Sequence, residues 1–489
     1  MSGSVTPEGY NTSVPAKILT PDRVDTRIGT LEFTDGFPTS TTAQLLFDHL
    51  DFLRAVEAFL SCVPAASLEA MRIGMEEVGV TACHQVGILD RLLDSTSLFL
   101  TGNTDTVYVS GILDLERDGP TVVEVPPGCG PTTVNDAWFR FITDMGRPGP
   151  DRGAGGKYLI VPAGYDGPIP DGYFVSRSPS RTNWLIMRGL LVEGLPDAPT
   201  RSFREGLRVY PLSQADAPPA MEFISLSERE FNTIHANDVT FFQELDSVVQ
   251  REPVEVIDAE TRGLLASIGI TKGTPFAPDD RMQALLVEAA AVANGTARAI
   301  GFKTRDPEAY LYPNSPWKTG FVGNDYRWLR DNGVGGRNLD ARTMFFYIAT
   351  VNTPAMALRM PGVGSQYALT EHDSYGEYLD GAKHYQLTLP AGVPAKDFWS
   401  VVVYDPQTRS ELQTGQPYPS RNSTRDAMAT NPDGSITLTF GPTAPEDNPG
   451  NWIQTIAGKN WFTLFRLYGP LEPWFEKTWV PGDIEPAPR

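Results

Sequence analysis

Two stretches of short apolar runs, many of them alternating with polar residues and separated by Pro-Gly, Asp-Gly and Gly-Pro pairs, constrain this chain more than any other feature. Between about 95 and 226 the runs are Ser97–Leu100, Thr106–Leu113, Thr121–Val125, Ala137–Ile142, Lys157–Pro162, Tyr173–Ser176 and Trp184–Val192. Residues two apart share one face of a strand, so these runs predict strands. Closely spaced strands with no helix between them predict a β-sandwich, not alternating β and α units. The pattern resumes from about 363, in Tyr367–Thr370, Tyr385–Leu389, Trp399–Tyr404, Ile436–Phe440 and Trp461–Tyr468. A chain of 489 residues with 45 glycines and 42 prolines exceeds one ordinary core and is rich in turns.

Helical spacing flanks and separates these stretches. Residues 1–40 have no sustained period and read as an extended arm. Leu45, Leu46, His49, Leu53, Val56, Phe59 and Leu60 then form an apolar stripe at three- and four-residue steps. A second helix is expected after a cap at Ser67, ending at Gly79. Ser227 and Glu230 have capping-box spacing, and Asp258 is a further cap candidate. Arg281–Ile300, Ala-rich and free of Pro, and Leu339–Val351 also read as helices. The expected division is an N-terminal arm with helices over 1–94, a β-sandwich over 95–226, a helical connector over 227–360 and a second sandwich over 361–489.

The formal charge of −20, from 40 basic and 60 acidic residues, argues against nucleic acid and anionic membrane surfaces as partners. Three scattered cysteines make neither a disulfide framework nor a zinc site. The first sixteen residues lack a basic patch followed by an apolar run, and no eighteen-residue apolar stretch occurs, so the cytoplasm is the expected compartment. The usual catalytic signatures fail: Gly333-x-Gly335 and Gly128-x-Gly130 lack the third glycine, and neither HExxH nor GxSxG appears. His49 and Asp51, two apart on a helix, face different ways, so neither a metal nor a cofactor is expected.

Three features stand out. His384 shares the polar face of its strand with Gln386 and Thr388. Arg466 sits in a strand apolar on both faces, where a guanidinium needs a carboxylate or an anionic ligand. The simpler expectation is a structural Arg–Asp pair across the sandwich. The third is the polar cluster Asn103-Thr104-Asp105-Thr106-Val107-Tyr108, with Asp105 either a turn former or an acid/base group.

That cluster, with Leu113-Asp114-Leu115 and Gly155-Gly156-Lys157-Tyr158, resembles the bacterial domain of unknown function numbered 1254. Leu379-Asp380-Gly381, Phe398-Trp399-Ser400-Val401, Asn431-Pro432-Asp433-Gly434, Asn451-Trp452 and Arg466-Leu467-Tyr468 resemble its companion numbered 1214. The resemblance implies a mainly β fold with α: an immunoglobulin-like sandwich joined through helices to a jelly roll. It brings no established activity and matches Asn103, Asp105, Tyr108, Trp399, Asn451, Trp452, Arg466 and Tyr468.

Two functions are expected of such a chain. One is a metal- and cofactor-independent hydrolase or lyase, acting on a small organic molecule or glycan in a cleft between the β-domains. Asp105, Tyr108 and His384 would then be catalytic, with Asn103, Trp399, Arg466 and Tyr468 holding substrate. The other is a non-catalytic carbohydrate-binding or assembly protein, in which Asp105 and Arg466 buttress the fold. The assembly is left open between monomer and homo-oligomer.

Overall fold

The hydroxyl of Thr39 accepts the Thr42 N–H at 3.2 Å and opens one unbroken helix, Ser40–Glu77. The computed structural model describes residues 4, 5 and 8–487, so parts of the expected N-terminal arm and Pro-rich tail lie outside the described residues. The expected break at Ser67 does not occur. Ser67 is fully buried inside the helix, and Pro64 is accommodated within it. The reason is packing: from Ala55 to Met75 the helix is covered by the helices Thr240–Arg251, Asp280–Phe302 and Leu339–Ile348, forming the largest core. Its end is as read, with Gly79 left-handed at φ +103 and the Val80 N–H returning to the Met75 carbonyl.

Two β-sandwiches, joined by helices and preceded by the N-terminal helix, make up the rest. In the first, a six-stranded sheet has the order 141–145, 132–136, 182–190, 106–114, 85–88, 222–225. It covers a four-stranded sheet ordered 174–178, 156–162, 121–125, 208–211. In the second, 365–370, 462–470, 395–404 and 420–422 face 452–454, 436–441, 385–389 and 484–486. Among the described residues no helix is long and apolar enough to cross a membrane.

Local differences from the expected elements have local causes. The run 97–100 makes a single bridge, Leu98 to Asn232, and no strand. Residues 137–140 are a tight turn between strands Thr132–Asp136 and Phe141–Met145, because the Asp136 carboxylate accepts the N–H groups of Trp138 and Arg140. Ser227 caps no helix; its hydroxyl bonds the Arg91 N–H and the Leu92 carbonyl instead. Asp258 does cap a helix, Ala259–Ser267. Residues 23–38 form a small three-stranded sheet in the arm.

One buried carboxyl in the helical region sets a pH dependence. Burial pushes Glu244 from an ordinary 4.5 up to about 8, with Glu69 adding and the Ala236 N–H opposing. A raised carboxyl favours the folded state while protonated, so this contribution is complete below about pH 4.5 and fades as pH rises through 8. Glu244→Gln is therefore expected to stabilise the protein more at pH 8 than at pH 5. Denaturation midpoints at the two pH values measure this, and an equal shift at both contradicts it.

Candidate functional site

Strand parity turns two sheets toward one another. In the strand Thr106–Asp114, Val107 and Val109 point into the first sandwich with Leu185 and Met187. Tyr108 and Ser110 therefore point outward, and Tyr108 lies directly opposite Arg188 on the neighbouring strand. In the strand Phe462–Pro470, Phe465 and Leu467 enter the second core, leaving Leu464, Arg466 and Tyr468 on the outer face, with Tyr367 across from Arg466. These two faces, with Met344, Phe345 and Ile348 from the helix Leu339–Ile348, enclose a largely apolar cavity of about 60 Å³. That is room for on the order of five water molecules.

The loop before Tyr108 orders this wall. Asn103 Oδ1 accepts the N–H groups of Asp105 at 2.9 Å and Thr106 at 3.1 Å, and Asn103 Nδ2 donates to the Tyr108 hydroxyl at 2.5 Å. Thr101 and Val351 both line the cavity and are β-branched residues held left-handed, at φ +38 and +70. Such conformations cost roughly 1–3 kcal/mol each and persist where the surroundings over-determine them.

Two buried guanidiniums line the cavity, and neither has an acid within ion-pair distance among the described residues. Arg466 is 3% exposed. Its Nη2 donates to the carbonyls of Thr101 at 2.6 Å and Gly102 at 3.3 Å, while Nη1 is buried without a partner. Burial works against its charge, but Tyr404, Tyr468 and Asp105 outweigh that and hold it protonated. The expected Arg–Asp pair across the sandwich is not formed. Arg188 is 7% exposed. Its guanidinium stands 5.6 Å from the Tyr108 ring centroid and makes no hydrogen bond of normal geometry among the described residues. Burial raises the Tyr108 phenol above its ordinary range, with Arg188 and Arg466 opposing.

The structure thus brings Asn103, Tyr108, Arg466 and Tyr468 to one cavity and places the other anticipated residues elsewhere. Asp105 is fully buried just outside the lining, accepting from Ser400 Oγ at 2.5 Å and Asn422 Nδ2 at 3.0 Å. Trp399 points into the second core against Phe465. His384 is exposed just before the strand Tyr385–Leu389 of the opposite sheet, its Nε2 3.1 Å from Thr443 Oγ1. Asn451 and Trp452 fasten turns, Asn451 through the Ala429 and Thr437 backbone and Trp452 through the Gly441 carbonyl. No group of three or more His, Cys, Asp or Glu among the described residues is placed to hold a metal.

Sequence reasoning passed over Arg188 and Glu411. Arg188 had the same signal as Arg466, a lone guanidinium in the apolar run 184–191. Glu411 had none, since Thr408-Arg409-Ser410-Glu411 reads as an exposed turn. It is 1% exposed with both carboxyl oxygens unpartnered, and burial drives its pKa well above the usual carboxylate range, against the pull of Arg466.

Beyond Tyr468 lies an open recess of about 310 Å³, lined by Arg147, Arg152, Lys396 and Asp397. Arg147 is paired with Asp397 at 2.8 Å, and Tyr468 stacks on Phe398 at 4.2 Å.

The chain matches a protein family of unknown function, DUF1254, over residues 83–211, and another, DUF1214, over residues 364–472. Among solved structures it is similar to the VPA0106 protein from Vibrio parahaemolyticus, at 18% identity and a TM-score of 0.54, over 90% of this chain and 100% of that one. A putative uncharacterized protein from Burkholderia cenocepacia matches at 14% identity and a TM-score of 0.40, over 91% of this chain and 97% of that one. No curated protein matches. Arg188 falls within the first family match and Arg466 within the second, so the chain is one that pairs a DUF1254 domain with a DUF1214 domain, and its cavity lies where the two face each other.

Proposed function

We propose that this protein binds a small organic anion, a carboxylate on a short apolar body, in the cavity between its two β-sandwiches. One observation carries the reading: two buried guanidiniums without acidic partners, one from each domain, line the same apolar cavity. An unpaired buried charge is costly, and a carboxylate seated between Arg188 and Arg466 would offset that cost with charge-assisted hydrogen bonds. Phe345, Ile348 and Leu464 suit the apolar remainder. A sugar ring would need more polar partners than this lining offers. Lys396 and Arg152 in the outer recess favour the approach of an anion.

Turnover by hydrolysis or elimination is the chemical extension of this reading. Tyr108, kept protonated by burial and held by Asn103, would then be the proton donor. Asp105, already accepting from Ser400 and Asn422 outside the lining, would act on the fold and not on the ligand. Three buried free thiols support a reducing compartment such as the cytoplasm.

The test is Arg188→Met. Because Arg188 lacks conventional partners, its replacement is expected to leave stability unchanged or raise it by about 1 kcal/mol. The same change weakens hexanoate or benzoate binding at least tenfold by calorimetry, and the methyl esters bind no better to wild type than the acids do to the variant. Equal binding of acid and ester, or a large stability loss, counts against the proposal.

A further inference from the structure

On the other side of the helix Leu339–Ile348 lies a larger and more polar pocket, about 470 Å³, that the reading above does not use. Its walls come from the N-terminal helix, the turn after Asp136, the start of the helix Ala259–Ser267 and the segment 326–342. Four arginines line it, Arg140, Arg327, Arg337 and Arg342, against two acids, Glu57 and Asp258. The acids are already engaged. Asp258 caps its helix through the Thr261 N–H, and Glu57 accepts from Ser61 Oγ at 2.5 Å.

Two of the arginines are engaged as well. Arg140 pairs with Asp136 at 2.5 Å and Arg327 with Asp325 at 2.9 Å. Arg337 has no ion pair or side-chain hydrogen bond among the described residues, and Arg342 bonds only the Ser61 carbonyl, at 3.2 Å, leaving its Nε buried without a partner. Burial and neighbouring guanidiniums depress both, Arg140 acting on Arg337 and Arg337 on Arg342. An acceptor is also unmet: Asn352, 4% exposed and in the lining, has a buried Oδ1 with no partner.

The apolar part of the wall is aromatic. Trp138 and Phe141 are half-buried, and Phe141 meets Tyr326 edge to face at 5.8 Å. Trp328 is held left-handed at φ +55, with its indole N–H on the Gly320 carbonyl and its own carbonyl accepting the Asn338 N–H. A bulky aromatic in that conformation is uncommon and marks a constrained segment.

We propose that this pocket is a second ligand site, for a planar aromatic oxyanion that also carries a hydrogen-bond donor. The oxyanion sits between Arg337 and Arg342, the ring lies among Trp138, Phe141 and Tyr326, and the donor meets Asn352 Oδ1. The volume is that of an ordinary small-molecule site, and guanidiniums beside aromatic faces suit both parts of such a ligand.

Calorimetric titration of the full chain with 4-hydroxybenzoate and with 4-hydroxyphenyl phosphate tests this and separates a carboxylate from a phosphate ligand. At least one is expected to bind, and Arg337→Gln, at an exposed position, weakens it tenfold or more without moving the melting temperature. Phenol in place of 4-hydroxybenzoate loses the affinity as well. Arg188→Met, which removes a guanidinium from the first cavity, leaves this binding unchanged. Binding of neither probe, or binding to the Arg188→Met protein that survives Arg337→Gln, overturns the proposal. So does binding lost in Arg188→Met but kept in Arg337→Gln, which belongs to the other cavity.

Discussion

Asp105→Ala is expected to lower the stability of this protein by about 4 kcal/mol, because the carboxylate is a joint between domains. Its oxygens accept from Ser400 and Asn422 of the second sandwich, and Thr104 beside it is 2.6 Å from Ser420 Oγ. Arg425 closes the same joint by donating to the Thr104 carbonyl at 2.8 Å. Hydrogen bonds to a charged group contribute about 1.5–3 kcal/mol each, and removing the acceptor leaves two buried donors without a partner. Asp105→Asn keeps one acceptor and is expected to recover part of the loss. Denaturant midpoints give the energies, and hydrogen exchange should locate the loosening at 103–106 and 420–425. Near-wild-type stability together with lost turnover would instead make Asp105 a catalytic acid or base.

How far the sequence carried this description depends on which forces a single position reveals. Strand alternation is local, so Thr121–Val125 and Tyr385–Leu389 are read to the residue, whereas a strand apolar on both faces, such as that of Arg466, does not reveal which face turns outward. A helix covered on every side has no polar stripe to mark where it continues. Ser67 therefore looked like a cap while lying at the centre of the packing. The Ser227 hydroxyl has its partners at 91 and 92, more than a hundred residues away in sequence, where a capping pattern does not reach. At the site, Asn103, Tyr108, Arg466 and Tyr468 were found because a polar group in an apolar run is conspicuous. The same test applied to the run 184–191 finds Arg188. Trp399 lies on a strand of the expected domain and His384 just before one, but a strand has two faces and a sandwich two sheets. Only the packing decides which of the four surfaces meets the neighbouring domain.

Arg466→Met is the change expected to remove both stability and binding. The side chain donates to two backbone carbonyls in the loop 101–102, and its guanidinium lies 5.5 Å from the Tyr404 ring and 6.0 Å from the Tyr367 ring. Methionine fills much of the same space but returns none of these interactions. Gly102 retains the Tyr404 hydroxyl, at 2.5 Å, whereas the Thr101 carbonyl loses its short bond from the guanidinium. Lost charge-assisted bonds, offset in part by relief of the buried charge, give a net cost of about 3 kcal/mol. A structural role alone would end there, and an anion would still stabilise the weakened protein by its full increment. At a hundredfold excess over Kd that increment is about 2.7 kcal/mol. If Arg466 also holds the anion, the increment itself disappears: hexanoate or benzoate raises the melting temperature of wild type and not that of Arg466→Met. Arg466→Lys keeps the charge without the fork, so it is expected to keep more of the stability than of the increment. A full ligand-induced increment in Arg466→Met would assign this arginine to the fold alone and leave Arg188 as the only guanidinium recognising the anion.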